Sequence, residues 1–313
     1  MSAAPVVGQV VGPVIGHEAA QTVLRGLRAH TLLFVGPPRV GRRLVARWYA
    51  ALLNCRAEGQ NPCGVCESCR LFAEDAHPDH RELAPVMETK TGRRSRRPQL
   101  RIGDLVRRED GSDNPLGSWL ESRPRFYKRV GVIDGAEHLS DAAANAFLKF
   151  LEEPPSYAVI ILIAPSVGSV LPTIVSRSSV VRFGAVDAPI DLPEPHPAAR
   201  LGRAGELLTA AAYPEPFSAQ LGVVHSYLLG LEKGLEEALE RADALEKAWR
   251  EDARFSVAEL LRARLSEWSG GAYAAGLAAL ERCEEALAAY ASPGVAVQVL
   301  TLEFREILRE KRS

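Results

Sequence analysis

The sequence predicts an α/β core, a parallel sheet flanked by helices, joined to an all-helical C-terminal domain. Three observations predict it. The apolar runs Val130-Gly131-Val132-Ile133 and Ala158 to Ala164 do not alternate, so they read as strands buried on both faces. The strand-like Thr31 to Val35 passes directly into a glycine-bounded loop and then a helical period, the context of a phosphate-binding loop. From Phe217 to Ser313 the apolar spacing is helical throughout.

Taken in order, residues 14–29 read as a helix around Ala19, Ala20, Val23, Leu24 and Leu27, and Thr31 to Val35 as a strand. The loop Gly36-Pro37-Pro38-Arg39-Val40-Gly41-Arg42-Arg43 fits G-x-x-x-x-G but then departs from the working pattern. That pattern continues with Lys, which reaches the β- and γ-phosphates, and Ser or Thr, whose hydroxyl ligates Mg²⁺. Arg42 keeps a charge able to touch phosphate, though a planar fork is a poor replacement for a point charge. Arg43 puts a cation where the metal would be held. Two readings follow: a glycine turn with no ligand, or a phosphate-loop fold that has lost its chemistry.

Helical period resumes at Leu44, Val45, Trp48 and Leu52. Cys55, Cys63, Cys66 and Cys69 come next, spaced C-x7-C-x2-C-x2-C among the turn residues Gly59, Asn61, Pro62 and Gly64. Four thiolates close a tetrahedral shell, and a closed shell leaves no position for a reactive water. The expectation is structural zinc at 55–69, with His77, Asp79 and His80 structural. Cys283 stands alone at helical spacing and is expected in a core.

Residues 85–117 are irregular. They carry a basic run, Arg93, Arg94, Arg96, Arg97, Arg101, Arg107 and Arg108, a short helix over Ile102 to Arg108, and a loop at 111–117. Phosphate contact with DNA is one reading of the run; a solvated arginine loop is the plainer one, as no aromatic residues interleave it. The strand at Val130 ends on Asp134, the place for a Mg²⁺-associated acid, but Gly135 follows where a catalytic glutamate would polarise water. Glu137 is two residues too late. Loop and strand thus show the same defect. A helix opens at Ser140 and Asp141 and stops at Pro154-Pro155. The strand Ala158 to Ala164 follows, and then Leu171-Pro172-Thr173-Ile174-Val175-Ser176-Arg177-Ser178.

Pro189, Pro193, Pro195 and Pro197 mark a connector, Ala198 to Ala212 a short helical piece, and Pro214 and Pro216 another boundary. Beyond it one stripe runs through Leu231, Leu235, Leu239 and Leu245, another through Leu260, Leu261 and Leu265. Leu277, Leu280, Leu287, Val295, Val299, Leu300 and Phe304 continue the theme, broken at Gly270-Gly271 and Ser292-Pro293-Gly294. The expected domains are a core at 1–183, a linker or reduced lid at 184–214 and a helical domain at 215–313.

Composition narrows function. The 313 residues are 47% hydrophobic and 25% charged, with a formal net charge of -1, which gives no global pull towards nucleic acid or membrane. No run approaches the roughly 18 apolar residues of a membrane span, and the N-terminus lacks a basic signal region, so a cytoplasmic protein is expected. Clustered cysteines in such a compartment argue for metal over disulfides.

These residues resemble one family, the delta-prime subunits of the bacterial DNA polymerase III clamp loader, which are AAA+ proteins. The resemblance rests on Val14-Ile15-Gly16-His17, on His30 to Gly41 and on the four-cysteine module. It rests also on Asn145-Ala146-Phe147-Leu148-Lys149-Phe150-Leu151-Glu152-Glu153-Pro154-Pro155 and on the Leu171 to Ser178 run, similar to a Ser-Arg-Cys motif with Ser178 where Cys is usual. It implies an AAA+ core, a helical lid and a C-terminal collar that assembles with other subunits. It implies that ATP is not hydrolysed here, and the loop gives no firm case for ATP binding. It implies that Ser176 and Arg177 serve in trans, Arg177 as an arginine finger at the ATP site of a neighbouring subunit. The implied partners are gamma/tau and delta subunits and, through the complex, the sliding clamp and primed DNA, with no membrane. The chain departs from the family in a short lid, where Leu201-Gly202-Arg203-Ala204-Gly205 is a weak candidate for the glycine-rich sensing motif. The competing classes are an autonomous AAA+ ATPase using Arg42 and Asp134, and a zinc-containing DNA-binding module. The absent Lys, Ser/Thr and Glu oppose the first, and the near-neutral charge opposes the second.

Overall fold

The computed structural model describes residues 14, 16–59, 61–88, 94–100, 102–107, 114–186, 205, 207, 210, 213–251, 256–288 and 291–310. The chain divides into two compact units, one within Gly8–Ala188 and one within Pro189–Ser313.

The first unit opens with α1 (Glu18–Gly26), β1 (Thr31–Val35), α2 (Arg42–Asn54) and α3 (Glu67–Ala73). Strands β2 (His80–Leu83), β3 (Val86–Glu88) and β4 (Arg94–Gln99) follow, then α4 (Ile102–Leu105) and α5 (Leu116–Glu121). The unit closes with β5 (Arg129–Asp134), α6 (Asp141–Glu152), β6 (Ala158–Ala164), α7 (Pro172–Val175) and β7 (Ser179–Arg182). Five strands form one sheet in the order β2-β5-β6-β1-β7, and every pairing in it is parallel.

The non-alternating runs now have their reason. Leu32, Phe34, Val130, Val132 and Ile161 join α1 and α2 in one core, with Leu24 and Trp48. Leu33, Val35, Ile133, Ile160 and Leu162 join a second core with Leu105, Leu120 and Phe147 from α4, α5 and α6. The three central strands β1, β5 and β6 are covered on both faces, so both sets of their side chains must be apolar.

Some elements differ from the sequence reading. The first helix is shorter than 14–29, beginning at Glu18 after Gly16 and His17 take left-handed backbone. Strand β2 has the polar sequence His-Arg-Glu-Leu because it lies at the sheet edge and is half-buried along its length. Within the irregular stretch, β3 and β4 pair antiparallel. Arg93, Arg101, Arg108 and the loop at 111–113 lie outside the described residues, as does most of the lid segment with Leu201 to Ala204.

The second unit holds α8 (Pro214–Lys233), α9 (Leu235–Glu251), α10 (Val257–Leu265), α11 (Gly271–Ala288) and α12 (Pro293–Glu310). Val224, Tyr227, Leu231, Leu245, Leu261, Leu280 and Phe304 lie in its core, with Cys283 buried as its spacing predicts. Two stripes need correction. Leu235 is exposed at the start of α9, and the buried positions are Ala238, Ala242 and Leu245. Small residues suit that seam because α8 and α9 approach closely: a Cβ on Gly230 would sit 2.7 Å from Arg241 Cδ. On α12, Val295 and Val299 are exposed, while Ala296, Val297, Leu300 and Phe304 face the core. Among the described residues no helix is long and apolar enough to cross a membrane.

Candidate functional site

The C-terminal ends of β1, β5 and β6 carry the first candidate site. In parallel α/β sheets this edge is where ligands bind. Gly36 follows β1, Asp134 ends β5, and Ala164 ends β6. Around the loop the chain satisfies its own polar groups. A Cβ on Gly36 would lie 2.3 Å from the Phe183 carbonyl oxygen, so the backbone beyond β7 rests directly on this glycine. His17 Nε2 is 2.7 Å from the Val40 carbonyl oxygen, and its ring stands edge-on to Phe183 at 5.0 Å. Gly41 caps α2 in left-handed backbone, φ 107°.

The two arginines at the head of α2 diverge. Arg42, at the lysine position of the pattern, donates to the Ala164 carbonyl oxygen on β6. Arg43, at the hydroxyl position, donates from Nε to Glu82 Oε2 at 2.6 Å on edge strand β2. Arg47, one turn on, reaches Glu82 Oε1 at 3.1 Å and also pairs with Asp75. Arg43 is therefore tied to a carboxylate of its own chain.

Gly135 is fixed by geometry. Its φ is 95°, and a Cβ there would lie 2.7 Å from Pro85 Cγ. A glutamate at this position would meet both a left-handed backbone penalty and a clash. Glu137 sits in the following 3-10 turn, 3.8 Å from His138.

The second candidate site lies between α2 and α3. Cys55 caps the end of α2, Cys66 caps the start of α3, and the four ligand sulfurs of Cys55, Cys63, Cys66 and Cys69 lie within 4.8 Å of one another. Cys69 Sγ is 3.7 Å from Cys55 Sγ and 3.9 Å from Cys63 Sγ. A tetrahedron with metal–sulfur bonds of about 2.3 Å has edges of about 3.8 Å, so the spacing fits a four-thiolate shell. Backbone N–H groups of Cys63, Cys66 and Cys69 point at the sulfurs of Cys55, Cys63 and Cys66 at 3.3, 3.4 and 3.5 Å. N–H donors from Val65 and Cys66 pull the Cys63 thiol down to about 6. Burial pushes Cys69 and Cys55 up. Sulfurs this close cannot all ionise without a cation between them, so the cluster could hold a metal ion.

The residues beside this cluster bond within the chain. His77 faces Ser68 Oγ at 3.0 Å through Nε2 and accepts from the Asp79 N–H at 3.1 Å through Nδ1. Asp79, fully buried, accepts from the N–H groups of Arg125 and Phe126 at 2.9 and 2.7 Å.

The third candidate is Arg177. Pro172 starts α7, buried Ile174 anchors it, and Ser178 Oγ donates to the Ile174 carbonyl, so Ser176 and Arg177 are left exposed at its end. Arg177 donates to Glu152 Oε1 from Nε at 3.0 Å and from one terminal nitrogen at 2.6 Å. Its other terminal nitrogen donates to the Thr173 carbonyl at 2.9 Å and to Ser176 Oγ at 3.2 Å.

The fold thus gathers the loop, Asp134 and the end of β6 on one sheet edge. The cysteines form a cluster between two helices, and Arg177 stands on a separate turn against α6. Sequence reasoning missed Glu152 and Glu82 as partners of Arg177 and Arg43. Glu152 was visible in the Glu-Glu-Pro-Pro run; nothing marked Glu82.

The sequence model of one family, described as "DNA polymerase III, delta subunit", matches residues 18–187. DNA polymerase III subunit delta' of Haemophilus influenzae is 35% identical over 167 residues, 53% of this chain and 46% of that protein. The Pseudomonas aeruginosa protein of the same name is 34% identical over 154 residues, 49% of this chain and 42% of that one. DNA polymerase III subunit gamma/tau of Mycobacterium bovis is 34% identical over 151 residues, 48% of this chain and 23% of that protein. The matched stretch spans less than half the length of these relatives.

Proposed function

We propose, on the premise that this chain belongs to the DNA polymerase III delta-subunit family, that it is a non-hydrolysing, delta-prime-type subunit of the clamp loader. The observation that carries this reading is the occupation of the phosphate-loop positions by the chain itself. Arg42 is spent on the Ala164 carbonyl, Arg43 on Glu82, and Gly135 stands where no glutamate fits. An ATPase needs a lysine on the phosphates, a hydroxyl on Mg²⁺ and a residue that positions water; each place is taken by something else.

On this reading the chain works on its neighbours' ATP. Arg177, with Ser176 beside it, reaches the nucleotide of an adjacent gamma/tau subunit as an arginine finger. A guanidinium against the γ-phosphate neutralises charge that develops in the transition state, worth roughly 10³–10⁵ in rate where fingers act in trans. Its charge is permanent and its donors are planar, which suits a phosphate. The helical unit would hold the chain in a ring with gamma/tau and delta subunits, and the ring would place the sliding clamp on primed DNA in the cytoplasm. Zinc in the four-thiolate shell would be structural, since four sulfurs complete a tetrahedron and leave no site for water.

Reconstitution with the partner ATPase subunits tests the reading. Arg177→Ala is expected to cut DNA-stimulated ATP hydrolysis and clamp loading; unchanged rates would remove the finger. ATP hydrolysis by the purified chain alone would sink the non-hydrolysing reading.

A further inference from the structure

Arg177 is held by Glu152 in a way that an exposed arginine does not require. Glu152 is the last residue of α6, where the partial negative charge of the helix dipole disfavours a carboxylate. Glu153 and two prolines follow it directly. The Nε side of the guanidinium fork grips a single oxygen, Glu152 Oε1, through two donors at 3.0 and 2.6 Å. The remaining terminal nitrogen is spent on the Thr173 carbonyl and Ser176 Oγ. A guanidinium has five N–H groups, so among the described residues four are engaged. A phosphate taken by a two-donor fork needs more than the one left.

We propose that Glu152 is a latch for Arg177: it parks the guanidinium on its own chain until a phosphate of higher charge displaces the carboxylate. This inference rests on the finger reading above. Glu152 is then a positioning residue, acting only through Arg177. The latch is weak by construction, because the Arg177 and Glu152 side chains are 34% and 49% exposed. Exposed ion pairs of this kind shift an equilibrium by about 1.5- to 5-fold. A parked finger lowers the apparent affinity of the neighbouring site for ATP by the fraction of time it is parked. Contact with Arg177 would thus depend on a γ-phosphate being present to outbid Glu152.

The test uses the full chain reconstituted with its partner ATPase subunits, reading kcat and KM for ATP. Glu152→Gln keeps the shape and one acceptor but removes the charge. The expected result is a KM for ATP lowered by about 1.5- to 5-fold, shrinking as salt is raised and absent when Arg177→Ala is also present. A purely structural role for Glu152 would move both backgrounds alike and would overturn the latch. An unchanged KM, or a fall in kcat, overturns it too. Arg177→Ala measured alone separates the two claims: loss of stimulated hydrolysis with no Glu152→Gln effect removes the latch and leaves the finger, whereas no loss removes both.

Discussion

Arg43 grips Glu82 from two nitrogens, Nε at 2.6 Å and a terminal nitrogen at 2.5 Å from the same oxygen, while Arg47 takes the other oxygen at 3.1 Å. The residue at the metal-ligating position of a phosphate loop is thereby a strut between the loop helix and the edge strand of the sheet.

Restoring the loop sequence is therefore expected not to restore an ATPase. The double substitution Arg42→Lys, Arg43→Thr supplies the consensus residues but leaves Gly135, whose left-handed backbone and contact with Pro85 keep a glutamate out. Phosphate release by the purified double variant should stay at buffer background. Because Arg43 is largely exposed, loss of its pair should cost less than about 1 kcal/mol of stability, read from urea unfolding.

Zinc analysis is expected to return one ion per chain, and a chelator should expose four thiols while Cys283 stays buried. The stripped site carries its own order of reactivity. The thiolate is the reacting form, and Cys63, held at about 6 by backbone N–H donors, should be alkylated first at pH 7. Cys69, pushed up by burial, should be last. Timed alkylation followed by peptide mapping reads the order, and uniform labelling would contradict it.

How much of this was legible in sequence depends on what each residue answers to. Val130 to Ile133 and Ala158 to Ala164 answer to water exclusion on two faces, and their apolar runs state it directly. The four cysteines meet as one cluster that could hold a metal ion, and their spacing is local, so their grouping too was legible. Strand β2 was not, because an edge strand half open to solvent needs no apolar pattern. The Arg43–Glu82 and Arg177–Glu152 pairs span 39 and 25 residues and are set by tertiary packing, which no local spacing encodes. Leu235 misled because a helix-start leucine continues a periodic stripe in sequence while the close α8–α9 approach selects alanines instead.

Asp79 is expected to be the most sensitive single position of the first unit. It is fully buried, accepts two backbone N–H groups at 2.9 and 2.7 Å, and lies 3.7 Å from Arg129. Asp79→Ala would strand both donors and remove the carboxylate 3.7 Å from Arg129. Breaking a buried charged cluster from one side costs about 3–5 kcal/mol, which urea unfolding of the zinc-loaded chain would read as a large fall in midpoint.

Acid should weaken the same region before carboxylates titrate. Burial holds His77 down to about 4 and His80 down to about 3. His77 Nδ1 accepts a backbone N–H, which a protonated ring could not do. Unfolded histidine takes its proton near pH 6.5, so the unfolded chain binds more protons below that value. The contribution is complete above about pH 6.5 and lost as pH falls towards the folded values, at up to about 1.4 kcal/mol per pH unit for each ring. Unfolding measured from pH 7.5 to 5 with zinc present should show this slope, and His77→Gln with His80→Gln should flatten it. Equal slopes in both proteins would refute the assignment.

Tyr227 and Thr301 give an asymmetric pair in the helical unit. Their hydroxyl oxygens are 3.0 Å apart and both residues are buried. Thr301 Oγ1 also donates to the Val297 carbonyl at 2.7 Å, which commits its hydrogen, so Tyr227 is the donor to Thr301. Burial holds the phenol proton well above its ordinary range. Tyr227→Phe removes a donor and leaves Thr301 still bonded to the helix, a loss of about 1 kcal/mol. Thr301→Val removes the acceptor and strands a buried hydroxyl, a loss of about 1–3 kcal/mol. The valine variant should therefore be the less stable of the two, and the double variant should recover part of its deficit because no stranded donor remains. Thermal or urea unfolding of the three variants reads the order. A Tyr227→Phe loss larger than that of Thr301→Val would reverse the assigned direction of the bond.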